Sequence, residues 1–179
     1  MSGHSHWHSI KHKKGATDLK RGKIFSKISR LISIAAKEKG GEAESNPRLR
    51  VAIDKAKEAN MPKDKIERAI KKGTGQLEGV KIEEIFYEAY GPAGIAIMIE
   101  GITDNKNRTL AEIKHTLSSF EGKLAATGSV QYLFDRKAEE WIPKYPMEIP
   151  DEKTKNQIEK LFNALDDNDD VQEIYSNLK

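Results

Sequence analysis

Residues 84–102 read EIFYEAYGPAGIAIMIEGI, two runs of β-branched and aromatic residues on either side of Gly91, Pro92, Ala93 and Gly94. The runs from Glu84 to Tyr90 and from Ile95 to Ile102 have strand composition, and the four residues between them have that of a hairpin turn, so two antiparallel strands are predicted. Upstream the period is helical. From about Thr17 to Lys39, Leu19, Ile24, Phe25, Ile28, Leu31, Ile32 and Ala35 recur at three- and four-residue spacing, while Lys20, Lys23, Lys27 and Arg30 fall largely elsewhere. Gly40 and Gly41 end that helix, and Asn46 before Pro47 is an N-cap followed by proline at the first helical position. The second helix, to about Asn60, has a narrow stripe of Leu49, Ala52, Ile53 and Ala56 suited to close packing. Pro62 opens a third, carrying Ile66, Ala69 and Ile70, and Gly73, Thr74, Gly75 and Gly79 read as a helix stop and hinge.

Downstream of the hairpin, Thr109 and Glu112 have capping-box spacing, and Leu110, Ile113, Leu117 and Phe120 then repeat at helical intervals as far as Gly122. A strand is predicted from about Ser129 to Arg136, a short proline-bounded edge strand from Glu140 to Ile149, a helix from about Asp151 to Leu165 and a last strand from Val171 to Tyr175. Strand, helix, strand, strand, helix, strand, preceded by one extra strand, is the ferredoxin-like pattern. The expected fold class is therefore α+β: a flexible basic tail over 1–16, a three-helix bundle over 17–78 and a ferredoxin-like domain over 79–179.

The charge is divided in the same way. Residues 1–75 hold 19 of the 31 Lys and Arg but 8 of the 28 Asp and Glu. A basic front half joined to an acidic remainder suggests a module that faces nucleic acid and a body that discourages nonspecific sticking. The tail SGHSHWHSIKHKKG, from Ser2 to Gly15, has too few regularly spaced apolar residues to bury a face, so it is expected to stay mobile until a polyanion orders it. Lys11, Lys13, Lys14, Lys20, Arg21, Lys23 and Lys27 neutralise phosphates, and Trp7 or His12 stacks on unpaired bases. Arg48 and Arg50 on the next helix extend the patch. The loop from Thr103 to Thr109 offers Asn105, Asn107 and Arg108 as a second contact.

Other chemistries fare worse. The absence of cysteine excludes disulfides, a thiol nucleophile and zinc ribbons. His4, His6, His8 and His12 read as a nucleic-acid contact in preference to a copper or nickel site, and no metal or cofactor is expected. The run Asp166, Asp167, Asn168, Asp169, Asp170 puts Val171 where a calcium loop needs glycine, so it reads as a solvated turn. His115 sits alone on an amphipathic helix and no nucleophile motif is present, so no enzyme is expected. No apolar run approaches a membrane span and the N-terminus lacks a signal-peptide core, which points to the cytosol.

Several motifs together resemble the YebC/PmpR family, which includes the mitochondrial translational activator of cytochrome c oxidase subunit I. They are Gly3, His4, Ser5, Trp7, Ile10, Lys11 and His12; Arg21, Gly22, Lys23 and Phe25; and Asn46, Pro47, Arg48, Leu49 and Arg50. They continue through Tyr87, Glu88, Tyr90, Gly91 and Pro92, the loop from Thr103 to Thr109, Gly128, Ser129 and Val130, and Asp169, Asp170, Val171 and Gln172. The resemblance implies an N-terminal helical domain, a ferredoxin-like middle domain and a third α+β domain inserted within the middle one. Here the chain passes from Lys137 almost directly to what looks like the return, Ala138 to Pro150, so the third domain is expected to be absent near 137–139. The resemblance also implies control of gene expression through nucleic acid, by DNA-binding transcriptional regulators or by ribosome-associated factors that help translation of difficult stretches such as consecutive prolines. The chain shows no helix-turn-helix signal and no symmetric dimerisation helix. A basic tail with an aromatic ring suits structured RNA. Ribosomal RNA bound by a monomer is the favoured expectation, and duplex DNA the alternative.

Overall fold

The computed structural model describes residues 18–78, 81–138 and 140–179, with the backbone alone at 18–20. Two compact units emerge. Among the described residues, one comprises 18–85 with Ile102–Lys106, and the other Phe86–Gly101 with Asn107–Lys179.

The first unit holds three helices, α1 (Asp18–Lys39), α2 (Pro47–Glu58) and α3 (Lys63–Gly73). Their apolar stripes meet in a core of Ile28, Ile32, Ala35, Leu49, Ala52, Ala56, Met61, Ile66 and Ala69, with Phe25 and Ile70 packed against it. Asn46 caps α2 as its position before Pro47 predicts, accepting from the Leu49 N–H at 3.1 Å. Its own amide is buried and donates to the Ala35 and Gly40 carbonyls at 2.8 and 2.9 Å, which ties α2 to the end of α1. The Ser33 hydroxyl donates to the Ala69 carbonyl at 2.7 Å. Gly73 is the last residue of α3 and not a hinge: a Cβ there would lie 2.2 Å from the Ser33 carbonyl oxygen, so its role is to let α3 close onto α1. Gly79, the other end of the expected hinge, lies outside the described residues. Ile34, Ile82 and Ile102 form a smaller cluster in the same unit.

The predicted hairpin is present as β1 (Glu83–Tyr90) and β2 (Ala96–Thr103). With α4 (Lys106–Ser119), β3 (Lys123–Leu124), α5 (Glu152–Asp166) and β6 (Val171–Ser176), it builds a four-stranded sheet in the order β3-β1-β2-β6. β3 pairs antiparallel with β1 through Ala89 and Leu124, and β6 pairs antiparallel with β2 through Ile99 and Ile174. Ala89, Ile95, Ile97 and Ile99 meet Ile113 and Leu117 of α4 and Ile158, Leu161, Phe162 and Leu165 of α5. Both helices therefore cover one face of the sheet, as in a ferredoxin-like domain. The opposite face presents Ala96, Met98 and Tyr175 to Val130, Phe134, Leu133 and Trp141.

The strand inventory differs from the expected one in three places. β1 is a central strand of the sheet, not an extra strand outside the pattern. The edge beside it is β3, only two residues long, which no alternating pattern of that length could announce. The strand expected from Ser129 to Arg136 is instead a turn, a 3-10 turn over Gln131–Leu133 and β4 (Phe134–Lys137), which pairs with the short β5 (Glu140–Pro143) in a separate two-stranded sheet. Lys137 pairs with Glu140 at the end of this hairpin, and Ala138, next to Lys137, has the left-handed φ of 53°. Beyond Pro143 only Met147 makes a further bridge, to Leu178.

Candidate nucleic-acid interface

Trp7, Lys11, His12, Lys13 and Lys14 lie outside the described residues, and Lys20 is described by its backbone alone. The remaining tail-side cations belong to α1, where Arg21 is exposed and Lys23 and Lys27 are half-buried. Next to Arg21 the helical unit has an open cleft of about 380 Å³, lined by Arg21, Ile24, Phe25, Ala59 and Asn60. The Lys65 ammonium stands 5.2 Å from the centroid of the Phe25 ring, within cation–π range.

On α2, the two predicted arginines have different fates. Arg48 bridges two acids, Glu38 at 2.6 Å and Glu84. Partial burial works against its charge, and the hydrogen bonds with Glu84 and Glu38 more than offset it, holding the guanidinium above its ordinary range. Arg48 is thus a clamp between α1, α2 and the start of β1. Arg50 is exposed and makes no ion pair or side-chain hydrogen bond among the described residues. The same is true of Lys55 on α2 and of Arg68, Lys71 and Lys72 on α3, four cations that the sequence reading did not single out. Lys55, Lys71 and Lys72 fall in the last turns of their helices, where basic residues complement the helix dipole and draw no notice.

The polar loop before α4 is largely occupied by its own fold. In the helical unit, the Asn105 N–H donates to the Thr103 hydroxyl at 2.9 Å, and Lys106 pairs with Glu83 at 2.9 Å. In the sheet unit, Arg108 pairs with Asp170 at 2.7 Å and the Thr109 hydroxyl donates to the same carboxylate oxygen at 2.6 Å. Thr109 is therefore not the helix cap its spacing with Glu112 predicts. α4 starts three residues earlier, and the Thr109 side chain is buried against Asp170. Nor is Asp170 part of a solvated turn: it is 2% exposed, while Asp167 and Asp169 remain open to solvent. Asn107 alone of the three loop candidates is exposed with no side-chain partner among the described residues.

A second buried acid organises the other side of the sheet unit. Glu88, 3% exposed, accepts from the backbone N–H groups of Gly128, Val130 and Gln131 at 2.5, 2.6 and 2.8 Å. Tyr90 donates to the Ser129 carbonyl at 2.9 Å, and Gly128 has a φ of 82° that suits glycine. The Trp141 indole is likewise spent internally, donating to Glu100 at 2.8 Å beneath Arg136, whose guanidinium lies 4.7 Å from the ring centroid. Among the described residues, no group of three or more His, Cys, Asp or Glu is arranged to hold a metal ion, and no helix is long and apolar enough to cross a membrane.

The fold and surface define a two-unit α+β protein whose small helical unit presents exposed cations without side-chain partners among the described residues. The chain belongs to the TACO1/YebC family: residues 5–76 match the family's N-terminal domain, and residues 82–139 and 138–178 match its second and third domain. It is 55% identical over 174 residues to a "Probable transcriptional regulatory protein" of Petrotoga mobilis, covering 97% of this chain and 69% of the relative. A protein of the same name from Thermosipho africanus is 51% identical over 237 residues, covering 100% of this chain and 94% of the relative. Among solved structures, a conserved hypothetical protein from Aquifex aeolicus superposes with a TM-score of 0.89 at 37% identity, over 98% of this chain and 97% of that one.

Proposed function

We propose that this protein is a nucleic-acid-binding regulator of gene expression, not an enzyme, and that it works as a monomeric, cytoplasmic, ribosome-associated translation factor. In this reading Trp7, Lys11, His12, Lys13, Lys14, Lys20, Arg21, Lys23 and Lys27 contact ribosomal RNA, and no cofactor takes part. The observation that carries it is the set of exposed cations without side-chain partners among the described residues: Arg50, Lys55, Arg68, Lys71 and Lys72 sit in the helical unit, whose first helix follows the basic tail in the sequence. Cations left unneutralised by the fold release counterions when they meet phosphates, which drives association with a polyanion. Arg48 contributes by holding α2 in position, and Asn107 extends the contact from the sheet unit. The relatives' names support the regulatory class.

Alignment to the Thermosipho relative runs over 237 residues against the 179 of this chain, so that relative carries a segment that this chain lacks. The two stretches matching the second and third domain abut at 138–139, where the β4–β5 turn lies. Both facts support reading this chain as a short form without the inserted third domain.

Co-sedimentation with ribosomes at two salt concentrations, with random duplex DNA as competitor, tests the function. Binding that resists the competitor, and whose salt slope falls by up to about one unit for each of Lys11, Lys13 and Lys14 changed to Ala, is the expected result. The relatives' transcriptional name favours a second reading, recognition of a particular DNA duplex. That reading gains if ribosomes are not bound and one duplex is preferred over random sequence by about a thousandfold.

A further inference from the structure

We propose that the cleft at the root of the basic tail, between the start of α1 and the turn after α2, is a pocket for one unpaired nucleobase. This deepens the RNA-binding reading above and rests on it. The cleft's volume of about 380 Å³ is near the lower end of small-ligand sites and fits a single base, not a stacked helix. Its walls include Phe25, half-buried in the helical core, and Ile24, an aliphatic side chain left 38% exposed within a basic stretch. An apolar side chain and a ring face beside cations are what a base needs in order to leave water and stack while its phosphates stay solvated.

Asn60 supplies the polar edge. It is the second residue after α2, with a left-handed φ of 55°, and the Met61 N–H bonds back to the Ala56 carbonyl at 2.9 Å to complete the turn. Asparagine is the side-chain-bearing residue that best tolerates such a turn, so the backbone places it there and leaves its amide available to a ligand. That amide has no partner among the described residues, and it offers one acceptor and one donor group, the complement of a base edge. Arg21 in the lining and Lys65 beside Phe25 put positive charge where the flanking phosphates run. A base inside a duplex presents neither a free face nor a free edge here, so the pocket selects single-stranded or extruded nucleotides.

Two variants test it, Asn60→Gly, which keeps the left-handed turn and removes the amide, and Ile24→Ala, which removes apolar wall. Anisotropy titrations of a short labelled single-stranded RNA and of an RNA duplex of the same length are run at two salt concentrations. The expected result is a loss of roughly three- to tenfold in single-strand affinity for each variant, with the salt slope and the duplex affinity unchanged. Lys71→Ala serves as the contrast, lowering the slope on both RNAs. Single-strand affinity unchanged in both variants, or an equal loss on the duplex, overturns the pocket while leaving the RNA-binding reading intact. A wild-type chain that binds neither RNA overturns that reading, and the pocket with it, before any variant is compared.

Discussion

In the sheet unit, the acids Glu88 and Asp170 are almost wholly buried and are met by backbone N–H groups, a threonine hydroxyl and an arginine. In the helical unit, Arg50, Lys55, Arg68, Lys71 and Lys72 are exposed and find no partner among the described residues. Those two acids hold loops in place. The five cations make no side-chain hydrogen bond or ion pair among the described residues, and the same holds for exposed lysines of the sheet unit such as Lys114, Lys123 and Lys160. A polar residue's worth to the fold is therefore read from its partners, and residues with none are where binding is to be sought.

Glu88→Ala should be the most damaging single change. It leaves the N–H groups of Gly128, Val130 and Gln131 without their acceptor, at a cost of roughly 3 kcal/mol if water replaces only part of what is lost. Urea unfolding reads this as a lower midpoint with little change in slope. Asp170→Ala strands the Thr109 hydroxyl and half-releases Arg108, whose side chain is 42% exposed and regains some solvation, so about 2–3 kcal/mol is expected. If either loss stays below about 0.5 kcal/mol, the typical effect of a surface substitution, the contrast between the units fails.

Gly73→Ala tests whether the helical unit relies on packing where the sheet unit relies on buried charge. Its new methyl meets the Ser33 carbonyl oxygen and the Ala36 side chain, so α3 must move off α1, with an expected loss of about 1–3 kcal/mol. Thermal unfolding checks it, and an unchanged midpoint would mean that the α1–α3 contact is looser than the structure has it.

These positions also mark what a sequence can and cannot disclose. The helical stripes, the cap at Asn46 and the hairpin around Gly91 are local, and local chemistry announces them. What escaped was non-local. Thr109 has the spacing of a cap, but its real partner, Asp170, lies 61 residues away, and Asp170 looked solvated because its neighbours are. Ser129 to Arg136 alternates like a strand, yet Glu88 on β1 gathers its N–H groups into a turn. Gly73 ends α3 as its sequence context predicts, but its close approach to Ser33 shows only in the fold. For the candidate interface, the basic character of the first helices was legible as composition. Which cations stay free was not, because Arg48 and Arg50 differ only in whether Glu38 and Glu84 come within reach.

A smaller effect, of opposite sign, is expected at the β4–β5 turn. Ala138 holds a left-handed φ of 53° that glycine adopts without steric cost, so Ala138→Gly should stabilise by about 0.5–1 kcal/mol after the greater entropy that glycine gives the unfolded chain is counted. A raised urea midpoint checks it. Because this turn lies where the second- and third-domain matches meet, such a gain would mark the join as a site that still carries strain.

The smallest change in stability sharpens the comparison most. Lys71→Ala and Lys72→Ala remove cations from the last turn of α3, where each contributes a few tenths of a kcal/mol through the helix dipole and its ammonium makes no hydrogen bond or ion pair among the described residues. Each unfolding midpoint should therefore barely move. If these ammonium groups meet phosphates, each substitution lowers the dependence of log affinity on log salt by about one unit, well beyond any effect on stability. The same titration on Asp170→Ala, held at a temperature where it stays folded, should leave that slope at the wild-type value. Should the lysine variants keep the wild-type slope, their lack of protein partners has no bearing on binding, and the contact must be sought nearer the tail. A slope that falls with Asp170→Ala as well would mean that Arg108, which Asp170 positions, meets phosphate in addition to the uncharged Asn107, and the division of labour between buried acids and exposed cations would no longer hold.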